Sequence, residues 1–109
     1  IWSAHSMRIR HSMQPIFHSA VSLGKLPGDL LNKLGQFVKV EVIDRTQPLP
    51  LNKMQELAAA FDVILSEPQD RLDRQTLAGG KVKMIAQRAV GFDNIDFEYC
   101  KEQGILVAN

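Results

Sequence analysis

The chain holds one cysteine, one tryptophan and one tyrosine in 109 residues. A single thiol, Cys100, excludes an internal disulfide and fits a reducing compartment, so the expected location is cytoplasmic. No apolar run approaches the roughly 18 residues of a membrane span, and residues 1–13 contain no apolar core of the kind a signal peptide needs. An excess of one charge is missing as well: 13 basic residues stand against 12 acidic ones, a formal net charge of +1. The Lys and Arg residues are scattered, so no basic stripe for nucleic acid is expected. The spacing of His5, His11 and His18 suggests no preformed metal site. No G-x-G-x-x-G follows a strand, so the chain carries no dinucleotide fingerprint.

Hydrophobic content of 45% with 23% charge is ordinary for a globular protein. A chain of this length forms one domain and buries roughly 65% of its unfolded surface without metal or disulfide help. Residues 1–13, with His5-Ser6-Met7 and again His11-Ser12-Met13, lack periodicity of either kind and read as a tag-like or disordered arm. Residues 14–109 form the domain.

Pro15-Ile16-Phe17-His18-Ser19 reads as a first strand, followed by a loop over 20–25. A helix then starts at Leu26-Pro27-Gly28-Asp29, with Leu30, Leu31, Leu34 and Phe37 on one face. Val38, Val40 and Val42 alternate with Lys39 and Glu41, the period-2 pattern of an edge strand with one wet face. A connection over 44–51 carries Pro48 and Pro50, and a second helix follows from about Asn52, with Met54, Leu57, Ala58 and Phe61 at helical spacing. Val63-Ile64-Leu65 does not alternate and reads as a strand buried on both faces. Asp73 caps a short helix that Gly79-Gly80 ends. The fourth strand spans 82–87, a helix 97–103, and the fifth strand 105–108.

Strands alternating with helices imply a parallel sheet with right-handed crossovers. The expected fold is α/β: a flavodoxin-like three-layer sandwich with five parallel strands in the order 2-1-3-4-5, cut before its closing helix. One sheet face is then left partly uncovered, which predicts a homodimer or a swapped element.

The stretch Lys83-Met84-Ile85-Ala86-Gln87-Arg88-Ala89-Val90-Gly91-Phe92-Asp93-Asn94-Ile95-Asp96 organises the chain. It runs as a strand, breaks at Gly91 and reaches an N-cap at Asp96. In open α/β sheets ligands bind at such a loop, beyond the carboxyl ends of the strands. Backbone N–H groups at Ala89, Val90 and Gly91 can face the crevice unpaired, and Gly91 lets an anion approach the main chain. A small carboxylate suits them. Ser66, after the third strand, belongs to the same edge. Asp93, Asn94 and Asp96 read as loop and cap chemistry rather than as a catalytic carboxylate cluster, and Cys100 as core packing.

Ala89-Val90-Gly91-Phe92-Asp93-Asn94-Ile95-Asp96, followed by Gly104-Ile105-Leu106-Val107-Ala108-Asn109, resembles the A/G-V-G-Y-D-N-I-D…G-I-x-V-x-N signature of the D-isomer-specific 2-hydroxyacid dehydrogenases. The resemblance is strong over about 63–109 and fainter over about 15–62. It implies a substrate-binding domain whose backbone amides at Val90 and Gly91 hold the carboxylate of a small 2-hydroxy or 2-keto acid. It also implies that NAD or NADP, and the catalytic Arg, acidic residue and His, belong to a separate NAD-binding domain absent from this chain. By itself, then, the chain is expected to bind no cofactor and catalyse nothing. Phe92 stands where Tyr is commoner in the family. Leu65-Ser66-Glu67 lacks the Arg that phosphoglycerate-type members tend to carry there, which favours a small unphosphorylated substrate. The rival reading is a non-catalytic, corepressor-like module of the same fold that captures peptides or proteins. A flavin carrier with a phosphate loop at Ser19-Ala20-Val21-Ser22-Leu23-Gly24 is a third, slighter one.

Overall fold

The structure, a computed structural model, describes residues 17–109. The arm over 1–13, His5 and His11, and the start of the expected first strand at Pro15 and Ile16 lie outside the described residues. Within them, strands and helices alternate: β1 (Ser19–Ser22), α1 (Gly28–Leu34), β2 (Lys39–Val42), α2 (Leu51–Ala60), β3 (Val63–Ser66), α3 (Arg74–Leu77), β4 (Met84–Gln87), α4 (Phe97–Gln103) and β5 (Leu106–Ala108). All neighbouring strands pair in parallel, in the order β2-β1-β3-β4-β5. This is the order that the alternating pattern and the edge character of β2 predict.

Alternation along the strands builds two cores. Val21, Leu23, Ile64 and Ile85 face one side, where Met54, Leu57 and Ala58 of α2, Leu77 of α3, and Tyr99 and Cys100 of α4 close over them. Ala20, Val63, Leu65, Met84 and Ala86 face the other, against Leu34 of α1 and Phe17. The central strands β3 and β4 are buried at every position, as expected of parallel strands covered on both faces. On the α1 side the covering thins towards β5, where Leu106 remains 41% exposed.

The first strand sits further along the chain than its apolar run suggests. Ala20, Val21 and Ser22, expected in a loop, are strand and buried, and Phe17 and His18 precede it. The Asp62 carboxylate explains the shift: it accepts the N–H groups of His18 (2.7 Å) and Ser19 (3.3 Å) just where the strand begins. The buried Ser22 hydroxyl is satisfied locally by donating to Gly24 O at 2.7 Å. A phosphate loop over 19–24 is therefore ruled out, since its first four residues are sheet. Phe37 also departs from expectation, lying beyond the end of α1 and 56% exposed. The remaining boundaries fall within two residues of the reading, and α4 matches it at both ends. Gly104, at φ 71°, ends α4 in the left-handed conformation that glycine tolerates best.

Candidate functional site

β4 ends at Gln87, and the chain leaves the sheet through Arg88, whose N–H donates to Ser66 O at 2.9 Å. The loop over 89–92 follows. Its four backbone N–H groups meet no acceptor among the described residues. Val90 is 90% exposed, Gly91 is exposed and Ala89 is half-buried, so the three loop residues singled out in the sequence stand together at the carboxyl edge. Gly91 has no positive φ, and a Cβ built on it would have no neighbouring heavy atom within 4 Å. Neither backbone conformation nor packing calls for glycine there. A methyl group would occupy only the open space beside the loop.

Ser66 lies at the same edge but beneath the loop. It is fully buried, and its hydroxyl donates to Gln87 Oε1 at 3.1 Å, so any part it takes in a site is indirect. Gln87, at 2% exposure, continues the network: its Nε2 donates to Gly91 O at 2.7 Å and to Asn94 Oδ1 at 2.9 Å. Asn94 Nδ2 donates in turn to Gln87 Oε1 at 2.7 Å and to Asp70 O at 2.6 Å. Leu72 N–H donates to Asn94 O, and Asp96 N–H to Leu72 O, which pins the far end of the loop. Asp96 then caps α4 by accepting Tyr99 N–H at 3.0 Å. Asn94 and Asp96 thus serve the loop and its cap, as their residue types suggest. Phe92 meets the edge of Phe97 at 5.3 Å between ring centres.

The cation at the start of the loop is paired. Arg88 Nη2 donates to Glu67 Oε2 at 2.9 Å and Nη1 to Lys25 O at 2.7 Å, so its guanidinium is engaged rather than open to an anion. Beside the loop lies a polar cleft of about 320 Å³ between Gln69, Arg71 and Asp73 on one wall and Asp93, Ile95 and Asp96 on the other. Its carboxylates disfavour an acidic guest, whereas the N–H groups over 89–92 favour one. Burial, together with the charge of Asp96, pushes the Cys100 thiol up from its ordinary value and so disfavours the thiolate, the nucleophilic form.

In the turn after β1, a Cβ built on Gly24 would meet the Glu67 carboxylate and the Arg88 guanidinium.

Residues 11–109 match the family described as D-isomer specific 2-hydroxyacid dehydrogenase, catalytic domain. The chain belongs to that family. A glyoxylate reductase from Aeropyrum pernix is 37% identical over 82 residues, which cover 74% of this chain and 24% of the relative. An erythronate-4-phosphate dehydrogenase from Bacteroides fragilis is 46% identical over 54 residues, covering 50% of this chain and 16% of that protein. This dehydrogenase-family chain therefore spans a quarter or less of these curated relatives. A solved structure from Thermus thermophilus superposes with a TM-score of 0.74 at 27% identity, over 82% of this chain and 29% of that one.

Within this dehydrogenase-family domain, sequence reading missed the residues that hold the loop in shape. Gln87 offered a signal, a polar residue closing an otherwise apolar strand. Arg45 and Asp70 offered none, because each sits in a segment read as a connection and finds its partner 25 positions away.

Proposed function

We propose that this chain is the substrate-binding part of an NAD(P)-dependent oxidoreductase acting on small D-2-hydroxy or 2-keto acids. In this reading the N–H groups of Ala89, Val90 and Gly91 hold the substrate carboxylate, and Gly91 gives it room. Ser66 acts one layer back, through Gln87. The carboxylate is thereby fixed beside the carbon that gains or loses hydride. Nicotinamide supplies the hydride when bound, and neither it nor the acid/base that moves the hydroxyl proton is provided by the described residues. A small, unphosphorylated acid is favoured because Arg88 is already paired with Glu67 and Lys25 O.

The observation that carries this reading is the run of unpartnered N–H groups beside the open flank of Gly91. Two charge-assisted hydrogen bonds of about 1.5–3 kcal/mol each, less the cost of association, put the affinity of this chain near millimolar at best. Peptide capture, the rival reading, calls for an apolar groove, and the cleft beside the loop is lined by Arg71, Asp73, Asp93 and Asp96. The test is an NMR titration of the ¹⁵N-labelled chain with pyruvate, alongside its neutral methyl ester. Saturating shifts confined to residues 89–92 and dependent on the carboxylate are expected. Equal shifts with the ester, or none with pyruvate, would sink the reading.

A further inference from the structure

Building on the carboxylate reading, we propose that Gln87 and Asn94 are positioning residues: a reciprocal amide pair that turns the Gly91 carbonyl inward and the Phe92 N–H outward, and so holds the loop that carries the donors of Ala89, Val90 and Gly91 in one shape.

A buried primary amide has two donors and one doubly accepting oxygen, and here almost all are committed. Gln87 Oε1 accepts from Ser66 Oγ at 3.1 Å and from Asn94 Nδ2 at 2.7 Å. Gln87 Nε2 donates to Asn94 Oδ1 at 2.9 Å and to Gly91 O at 2.7 Å. Asn94 Nδ2 has Asp70 O as its second acceptor, at 2.6 Å. Flipping Gln87 would set oxygen against the Gly91 carbonyl and nitrogen against the Asn94 nitrogen. Flipping Asn94 would set its oxygen against Asp70 O. One orientation of the pair satisfies every group, and at 2% exposure of Gln87 water is not a ready substitute.

The consequence falls on the loop. Peptide bonds among the described residues are trans, so with the Gly91 carbonyl drawn down onto Gln87 the following N–H, that of Phe92, points the opposite way. The pair grips the span at three places: where it leaves β4, at its middle carbonyl, and where it rejoins the fold at Asn94. Side-chain amides thus set the direction of the Gly91–Phe92 peptide and hold the loop on either side of it.

The test repeats the pyruvate titration with Gln87→Met, Ser66→Ala and Ile95→Val. Gln87→Met keeps the length of the side chain and removes its hydrogen bonds; a dissociation constant raised on the order of tenfold is expected. Ser66→Ala leaves the packing but removes the hydroxyl that orients Gln87, and a rise of about threefold is expected. Ile95→Val trims a buried neighbour in the same segment without touching the amides and should leave the constant unchanged. Unaltered binding by Gln87→Met overturns the proposal, as does equal weakening by Ile95→Val, which would mean general loosening. Should Gln87→Met fail to fold, Ser66→Ala decides: binding equal to the wild type overturns the proposal. Wild-type chain that shows no carboxylate-dependent shift removes the underlying reading instead, a separate outcome.

Discussion

Arg45 and Asp70 form an ion pair inside the carboxyl edge of the sheet, Nη2 to Oδ2 at 2.7 Å, with 5% and 0% of their side chains exposed. Arg45 also donates to Leu23 O from Nε (3.1 Å) and Nη2 (2.8 Å), while Asp70 Oδ2 accepts Glu67 N–H at 2.8 Å. The pair therefore ties together the loops that follow β1, β2 and β3. Through its carbonyl Asp70 also supports Asn94.

Breaking one side of such a pair strands a buried charge. Arg45→Met is expected to lower stability by about 3–5 kcal/mol, and Arg45→Met with Asp70→Leu to recover most of that loss. Urea denaturation of the three proteins checks it. A single-variant loss under about 1 kcal/mol would contradict the assignment of a desolvated pair.

The two edge glycines should respond in opposite ways. Gly24 has φ 143°, and a Cβ there would overlap Glu67 Oε2 and lie 2.9 Å from Arg88 Nη2. Gly24→Ala is expected to cost about 1–3 kcal/mol of stability. Gly91→Ala, with open space around it, should change stability by less than about 0.5 kcal/mol yet weaken pyruvate binding. Thermal melts paired with the NMR titration separate the two. Similar melting losses in both variants would refute the contrast.

Acid should unfold the domain partly through Asp62. Burial works to raise its carboxyl, but the N–H groups of His18 and Ser19 and the charges of Lys81 and Lys83 outweigh it and hold the group below its ordinary value of 3.8. Folding therefore favours the ionised form. This contribution is fully present above 3.8, the ordinary value, and is lost as pH falls through the lower value of the folded state. Asp73 is depressed as well: burial opposes ionisation there too, and the Arg71 side chain and Thr76 N–H prevail. Stability measured against urea from pH 6 down to 2 should fall along this limb, and Asp62→Asn should flatten it. An Asp62→Asn curve parallel to the wild type would show that the carboxylate contributes nothing there.

Cys100 is 1% exposed, and burial together with Asp96 raises its thiol. Ellman's reagent at pH 8 is expected to react only as fast as the domain opens, with full reaction on adding denaturant. Rapid labelling of the folded chain would place the thiol at the surface.

Much of this protein was legible in its residues. The alternation over Val38, Val40 and Val42 marked an edge strand, the unbroken run Val63-Ile64-Leu65 a central one, and Asp96 and Gly104 bounded α4 within a residue, because these are local signals of periodicity and capping. From them the strand order followed, since parallel strands joined by right-handed helical crossovers leave few alternatives. The exposed loop at Ala89, Val90 and Gly91 could be placed at the carboxyl edge for the same reason. Tertiary structure decided what no local pattern encodes. It moved β1 to Ser19–Ser22, because the carboxylate that starts the strand comes from Asp62, more than forty residues on. It buried Ser66 under the loop instead of opening it to a ligand, and it joined Ser66, Gln87 and Asn94 from two strand ends and a loop. Hydrogen bonds and ion pairs between distant segments depend on where the whole chain brings its polar groups, and sequence spacing carries no record of that.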